Sequence, residues 1–431
     1  MYCMTPTIET KSTAEIQHFQ EDKLQILLTY LQANSKYYKN VFATQNIAIS
    51  SIKTLSDLAK IPVTTKDDLQ LHNDDFLCVP KNDIVDYVTT SGTMGNPVTF
   101  ALTDADLDRL AYNEAISFAC AGVTKNDTVQ LMTTMDRRFV AGLAYFLGVR
   151  KLGASIIRVG AGIPELQWDS ILKFNPKYLI AVPSFLLKLI AYAEANNIDY
   201  NASSVKGVIC IGESLRNEDF SLNLLANKIT SKWKIDLFST YASTEMSTAF
   251  TECEAKQGGH HHPELIITEI LDDDNNPVKE GEYGELTITT LGVEAMPLLR
   301  FKTGDIVREH REPCTCGRNS LRLSPVMGRK KQMVKYKGTT LYPPALYDLL
   351  NDFDAIENYI IEISHNDIGT DEILIKIGTE SPSHELLDRI KDHCRAKLRV
   401  LPTLEIHDIE SINALKFPKM SRKPILFIDK R

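Results

Sequence analysis

At 431 residues the chain is too long for one ordinary core, so two or more domains are expected. Its 43% apolar and 24% charged residues are those of a soluble globular protein, and a formal net charge of -8 argues against nucleic acid or an anionic membrane surface as the main partner. Eight cysteines in a chain this long are no disulfide framework.

Met1 to Glu15 holds no basic segment followed by an apolar one, and no later apolar run reaches transmembrane length, so a cytoplasmic enzyme is expected. Leu24, Leu27, Leu28 and Leu31 recur at helical spacing within Ala14 to Gln32. Tyr37, Tyr38, Val41 and Phe42 then supply an aromatic packing segment. Thr65 and Asp68 stand at capping-box spacing, which marks a helix start.

Ile84 to Val88 alternates apolar and polar residues and reads as a strand. The loop leaving it, Thr89-Thr90-Ser91-Gly92-Thr93-Met94-Gly95-Asn96-Pro97, is built to wrap phosphate. Gly92 and Gly95 let the backbone turn tightly, while Ser91, Thr93 and the freed amides offer donors. The Walker spacing is missing.

From Asp127 to Glu245 short buried strands (Thr128 to Met132, Ser155 to Val159, Tyr178 to Val182, Gly207 to Ile211, Ile235 to Phe238) alternate with helical stretches at Phe139 to Leu152, Ser184 to Ala195 and Asn217 to Lys228. Such alternation needs crossover connections and predicts a parallel sheet covered by helices, with ligands beyond the carboxyl ends of the strands. Past Glu245 the texture changes to hairpins: Leu265 to Leu271 and Gly284 to Thr290 flank the turn-rich Asp272 to Pro277. A small α+β region follows Met333, with a helix near Ala345 to Phe353, strands near Tyr359 to Ile363 and Ile373 to Ile377, and a helix through His384 to Leu398.

Cys253, Cys314 and Cys316 with one histidine offer three thiolates and an imidazole, a composition that suits tetrahedral structural zinc. His260 stands first for the fourth place, and His261 and His262 compete with it. Reduced thiols in turns are the alternative.

Four further stretches follow the phosphate-type loop: Tyr241-Ala242-Ser243-Thr244-Glu245, Lys302-Thr303-Gly304-Asp305, Gly328-Arg329-Lys330-Lys331 and Pro418 to Lys423. With Ala295 to Asp305 read as one run and Cys314-Thr315-Cys316-Gly317-Arg318 beside it, their order resembles the adenylate-forming ligases, the acyl-CoA synthetase or AMP-binding superfamily. The phenylacetate-coenzyme A ligase-like branch is most similar, from about Phe19 to the end.

The resemblance implies a large α/β AMP-binding domain over residues 1–330, of helix-covered sheets with an antiparallel hairpin region. A small mobile α+β lid over residues 331–431 would swing about a hinge at Lys331. It implies two half-reactions: a carboxylate attacks the α-phosphate of ATP to give acyl-AMP and pyrophosphate, and a thiol then displaces AMP. Ser91, Gly92, Thr93 and Gly95 would hold phosphate, Gly212-Glu213-Ser214 and Tyr241-Ala242-Ser243 would line the nucleotide, and Thr244 would donate to the α-phosphate. Glu245 would hold Mg²⁺, Asp305 would clamp the ribose, Arg329 would meet the nucleotide near the domain junction, and Lys423 would balance charge during adenylation.

The acid pocket would be lined by Met135 to Phe139, with Phe139 and Tyr145 against an aryl tail and Arg137 and Arg138 near a polar group or in a surface salt bridge. The implied partners are a small carboxylic acid and coenzyme A or an acyl-carrier protein. The resemblance leaves a homodimer open. Departures at Asn96, Arg422 and the Lys331-Gln332 hinge keep a non-catalytic nucleotide-binding homologue as the rival reading. A metal-centred hydrolase would need an open metal position, which four protein ligands deny.

Overall fold

The computed structural model describes residues 4–90, 98–336, 339–366, 371–398, 400–418 and 424–431. The chain divides into two compact units, one of Met1–Leu222, Ala226–Thr303 and Val307–Pro325, the other of Asn223–Leu225, Gly304–Ile306 and Val326–Arg431. Among the described residues no helix is long and apolar enough to cross a membrane.

The first unit opens with α1 (Thr13–Asn34), started by a capping box between Ser12 and Glu15. Its inner face is Ile16, Gln20, Leu24, Leu27, Leu28 and Leu31. In α2 (Lys36–Thr44) Tyr38 and Phe42 are buried, and α3 (Lys66–Leu71) begins at the Thr65–Asp68 capping box that the spacing predicts. The segment before α3 is tied to the far-off Leu299 to Lys302 run. Thr64 N–H donates to Arg300 O at 2.9 Å, Lys302 N–H donates to Thr64 O at 2.9 Å, and Thr64 Oγ1 donates to Leu299 O at 2.8 Å. Arg300, 2% exposed, grips Ile61 O and forms a bidentate pair with Glu269.

Next come the antiparallel pair β1 (Asp86–Thr89) and β2 (Thr99–Leu102), then α4 (Asp104–Cys120), β3 (Thr128–Leu131), α5 (Val140–Leu152), β4 (Ser155–Arg158), α6 (Pro164–Phe174), β5 (Tyr178–Ala181), α7 (Pro183–Ala195), β6 (Gly207–Cys210), α8 (Leu224–Lys232) and β7 (Asp236–Ser243). These strands pair in parallel in the order β4-β3-β5-β6-β7. β5 and β6 are buried throughout, which is why they read as unbroken apolar runs. Beyond β7 the same sheet turns antiparallel through β8 (Thr248–Glu252), β9 (Gly259–His260), and the later short strands β13 (Glu309–His310) and β14 (Arg322–Leu323), which follow β10 (Ile266–Leu271), β11 (Gly284–Thr290) and β12 (Phe301–Val307) in the chain. β10 and β11 form the expected hairpin, Ile266 opposite Thr290 and Leu271 opposite Glu285.

Phe118, Tyr145 and Val149 from α4 and α5 pack on Val129, Leu131, Ile180, Ile209 and Phe238 of the sheet. The two helices approach so closely that a Cβ on Gly148 would lie 2.2 Å from Glu114 Cβ.

In the second unit β15 (Gly328–Arg329) is followed by the hairpin β16 (Val334–Tyr336) and β17 (Thr339–Leu341), α9 (Pro343–Asn351), β18 (Asn358–His365), β19 (Asp371–Gly378), α10 (His384–Leu398), β20 (Thr403–His407), α11 (Ile409–Lys416) and β21 (Phe427–Asp429). The sheet order is β20-β19-β18-β21, antiparallel at its centre and parallel at both flanks. Leu346, Leu349, Leu350, Leu386, Ile390 and Cys394 of the helices pack on Ile361, Ile363, Ile373, Ile375 and Ile377.

Three elements differ from the periodicity. A helix expected over Asn217 to Lys228 begins only at Leu224, because Asn217 N–H donates to Ser221 O at 2.9 Å and Asp219 accepts from Ser221 N–H, turns that compete with a helix. α4 carries no visible stripe because most of its circumference is buried. β7 runs on to Ser243, so Tyr241, Ala242 and Ser243 are strand residues, held by pairing with Phe250, Ala249 and Thr248.

Candidate functional site

The carboxyl ends of β6 and β7 carry the residues that the sequence singles out. Gly212, with φ at +78°, makes the left-handed turn after β6 that a side chain would resist. Glu213 accepts from Ser184 N–H and Ser184 Oγ, both at 2.8 Å, so its carboxylate caps the first turn of α7. Ser214 Oγ donates to Arg216 O at 3.2 Å. Tyr241 stacks on Phe250 with ring centroids 6.0 Å apart. Thr244 and Glu245 form the turn between β7 and β8, fastened by Met246 N–H to Ser243 Oγ at 3.3 Å and Ser247 Oγ to Thr244 O at 3.2 Å.

Glu245 is the carboxylate that turn presents, its side chain 13% exposed, and Lys66 Nζ lies 3.8 Å from its Oε1. Lys66 is the first residue of α3, and the Thr64 ties described above fix the backbone that delivers it. Sequence reasoning gave Lys66 no role. Its only local signal is a lysine directly after a capping threonine, and the partner lies in a distant part of the chain.

Ser91, Gly92, Thr93, Gly95 and Asn96 lie outside the described residues, as does Lys423. The neck of the first loop is described: Thr90 N–H donates to Val98 O at 2.9 Å and Val98 N–H donates to Thr90 Oγ1 at 3.0 Å, closing the β1–β2 hairpin. In the second unit Asp305 sits opposite Arg329 across the β12–β15 pairing, with Arg329 Nε 3.2 Å from Asp305 Oδ1. The carboxylate is buried and the guanidinium half exposed, so an acceptor with a fixed cation beside it results.

On the acid-side segment Arg137 and Arg138 both have positive φ, 60° and 58°, and Arg137 lies 3.9 Å from Asp136 in an exposed pair. Tyr145 is 4% exposed and packs against Phe118 in the core. Beside it Glu114 is wholly buried and pushed up to about 8 by that burial, against the lowering effect of its Asn113 hydrogen bond.

Cys253, His260, Cys314 and Cys316 come together with all ligand atoms within 4.8 Å of one another. Cys253 Sγ is 3.6 Å from Cys314 Sγ, and His260 Nε2 is 3.3 Å from Cys253 Sγ and 3.5 Å from Cys316 Sγ. Four donors bound at about 2.3 Å around a tetrahedral zinc stand about 3.8 Å apart. The donor set therefore fits a closed zinc site. The hydrogen bond with Cys253 lowers the Cys316 thiol from its ordinary range and raises Cys253 in turn. Of the competing histidines, His261 Nε2 is engaged with Ile266 O at 2.6 Å and His262 lies between Ser117 and Glu9.

Residues 8–295, well over half of the chain, match the AMP-binding enzyme family. The chain belongs to that family. Among its relatives in the AMP-binding family, the phenylacetate-coenzyme A ligase of Escherichia coli (strain K12) is 27% identical over 441 residues, covering 98% of this chain and 97% of the relative. The phenylacetate-coenzyme A ligase of Thermus thermophilus is 27% identical over 384 residues, 88% and 84% of the two chains. A crystal structure of 2-hydroxyisobutyryl-CoA ligase in complex with 2-HIB-AMP shares the fold, with a TM-score of 0.85 at 22% identity over 99% of this chain and 92% of that one.

Proposed function

We propose that the chain is an ATP-dependent acid–thiol ligase that activates an aryl or arylalkyl carboxylic acid as its acyl-adenylate and passes the acyl group to coenzyme A. The observation that carries the reading is the Thr244-Glu245 turn at the carboxyl end of β7, which presents one shielded carboxylate with Lys66 at 3.8 Å. Similarity to two phenylacetate-coenzyme A ligases over most of each chain supports it and points to the acid class.

A carboxylate oxygen attacks the α-phosphorus and pyrophosphate leaves. The thiol sulfur then attacks the acyl carbon and AMP leaves. Both partners in the first step are anions, so the protein's work is to neutralise charge and align the attack. Glu245 is the carboxylate suited to hold Mg²⁺, a hard cation that takes oxygen ligands. Thr244 offers a donor to the α-phosphate, Asp305 accepts from the ribose hydroxyls beside Arg329, and Ser91, Gly92, Thr93 and Gly95 wrap the outer phosphates. Gly212, Glu213, Ser214, Tyr241, Ala242 and Ser243 line the nucleotide, and Lys423 balances charge as the adenylate forms. Residues 331–431 act as the lid, turning at Lys331 between half-reactions. Cys253, His260, Cys314 and Cys316 hold a structural zinc ion. The cytoplasm is the compartment that suits reduced thiols and free coenzyme A.

An acid panel in pyrophosphate exchange tests the first step, with the Lys423→Ala variant beside the wild type. Exchange that depends on an aryl acid and is lost in the variant supports the reading, and ATP binding without exchange for any acid overturns it. Parallel assays with coenzyme A and a loaded acyl-carrier protein decide the acceptor.

A further inference from the structure

Glu9 is 0% exposed and lies in the amino-terminal segment, yet among the described residues its side chain bonds to His262 and Arg318, from the region of the Cys3His cluster. Its Oε2 accepts from Arg318 Nε at 2.7 Å and its Oε1 meets His262 Nδ1 at 2.5 Å, while His262 Nε2 continues to Ser117 Oγ of α4 at 3.1 Å. Ser117 and His262 are as fully buried as Glu9. A serine–histidine–carboxylate chain with no opening to solvent cannot receive a substrate, so its role is attachment.

Arg318 is the branch point. Its Nη1 donates to Cys316 Sγ at 3.5 Å, its Nε to Glu9, and its Nη2 to Thr5 Oγ1 at 3.1 Å. One planar guanidinium thus serves a metal-ligand sulfur and two residues of the amino-terminal segment at once. The neighbouring backbone repeats the attachment: Asn319 N–H donates to Glu9 O at 2.7 Å, and Asn319 Nδ2 donates to Thr10 O at 3.1 Å and Lys11 O at 3.2 Å. The loop that carries Cys314 and Cys316 is therefore the surface on which Thr5 to Lys11 is seated, just ahead of the Ser12 cap of α1.

We propose that Arg318 is a positioning residue for the Cys3His metal site and that metal loading and seating of Thr5 to Lys11 are one coupled equilibrium. The metal fixes the Cys314–Cys316 turn, the turn fixes Arg318 and Asn319, and these hold Glu9 and the backbone leading into α1. In the other direction, the Glu9 carboxylate holds the guanidinium against the Cys316 sulfur and so fixes the direction in which that ligand points. The coupling concerns the metal site alone and stands or falls apart from the ligase reading.

The test uses the full chain. Metal content is measured on the purified protein, Co²⁺ is substituted to read thiolate-to-metal absorption, and backbone hydrogen exchange is followed over residues 4–12 with metal bound and after chelation. Chelation is expected to raise exchange over residues 4–12 at least tenfold while α9 to β19 stays unchanged. Arg318→Lys and Glu9→Gln, which keep charge or shape, are expected to weaken Co²⁺ binding about tenfold or more and to loosen the same segment. Thiolate–cobalt absorption with unchanged exchange after chelation overturns the coupling. So does Co²⁺ affinity unaltered by Arg318→Lys. Absence of any thiolate–cobalt absorption overturns the metal site itself. The wild-type chelation measurement decides the matter even if a variant fails to fold.

Discussion

Lys66 Nζ stands 3.8 Å from Glu245 Oε1, a pairing that joins the start of α3 to the turn after β7. An ammonium beside the carboxylate that would take Mg²⁺ is placed to move onto a phosphate oxygen once the cation occupies that carboxylate. Loss of a hydrogen bond to a charged group costs about 1.5–3 kcal/mol. Lys66→Gln is therefore expected to lower kcat/KM for Mg·ATP in pyrophosphate exchange by roughly ten- to a hundredfold, with Lys66→Arg less affected. Glu245→Gln should lower exchange further than Lys66→Gln does and shift its Mg²⁺ dependence to higher concentration. Wild-type exchange kinetics in Lys66→Gln would confine that residue to a surface pair.

Asp305 faces Arg329 at 3.2 Å across paired strands. As an acceptor for sugar hydroxyls, its carboxylate acts in binding more than in chemistry, so Asp305→Asn should raise KM for ATP with a smaller effect on kcat. Thermal stability should change little, since the guanidinium side of the pair is half exposed and such pairs contribute little. A fall in kcat with KM untouched would exclude the sugar-clamp role.

The parallel strands were legible because buried apolar runs between helices have few alternatives, and the β10–β11 hairpin because Asp272 to Pro277 is turn chemistry. The motifs were legible as stretches but not as contacts. Arg300, inside the run that resembles the family signature, is buried against Ile61 O and Glu269 and serves as a brace for the segment leading to Lys66. Glu213 spends its carboxylate on the cap of α7. Lys66 could not be found because pairing across the fold leaves no trace in local periodicity. The choice among three adjacent histidines needed their neighbours: Ile266 O takes His261, Glu9 and Ser117 take His262, and His260 is left to the thiols.

Gly148 of α5 lies where an added Cβ would come within 2.2 Å of Glu114 Cβ and 3.0 Å of its carbonyl carbon. The second contact is backbone, so α4 and α5 would have to separate. Gly148→Ala is expected to destabilise the protein by about 1–3 kcal/mol, as overpacking does, despite alanine's better helix propensity. Chemical denaturation measures it. A variant as stable as the wild type would mean that the helices yield freely.

Glu114 itself gives a pH signature. Burial raises its carboxyl from 4.5 to about 8, and its Oε2 has no hydrogen-bond partner among the described residues. Between these values the unfolded chain has released the proton and the folded chain keeps it, so folding takes up a proton. The stability this group contributes is fully present below about pH 4.5 and is lost as pH rises towards 8, at no more than about 1.4 kcal/mol per pH unit. Glu114→Gln cannot titrate and lacks that slope. Urea denaturation of both proteins from pH 5 to 8 should therefore show the difference moving steadily in the variant's favour as pH increases, the other titrating groups cancelling between them. Parallel stability curves would mean that Glu114 is ionised in the folded chain, with a cation or water reaching it between α4 and α5.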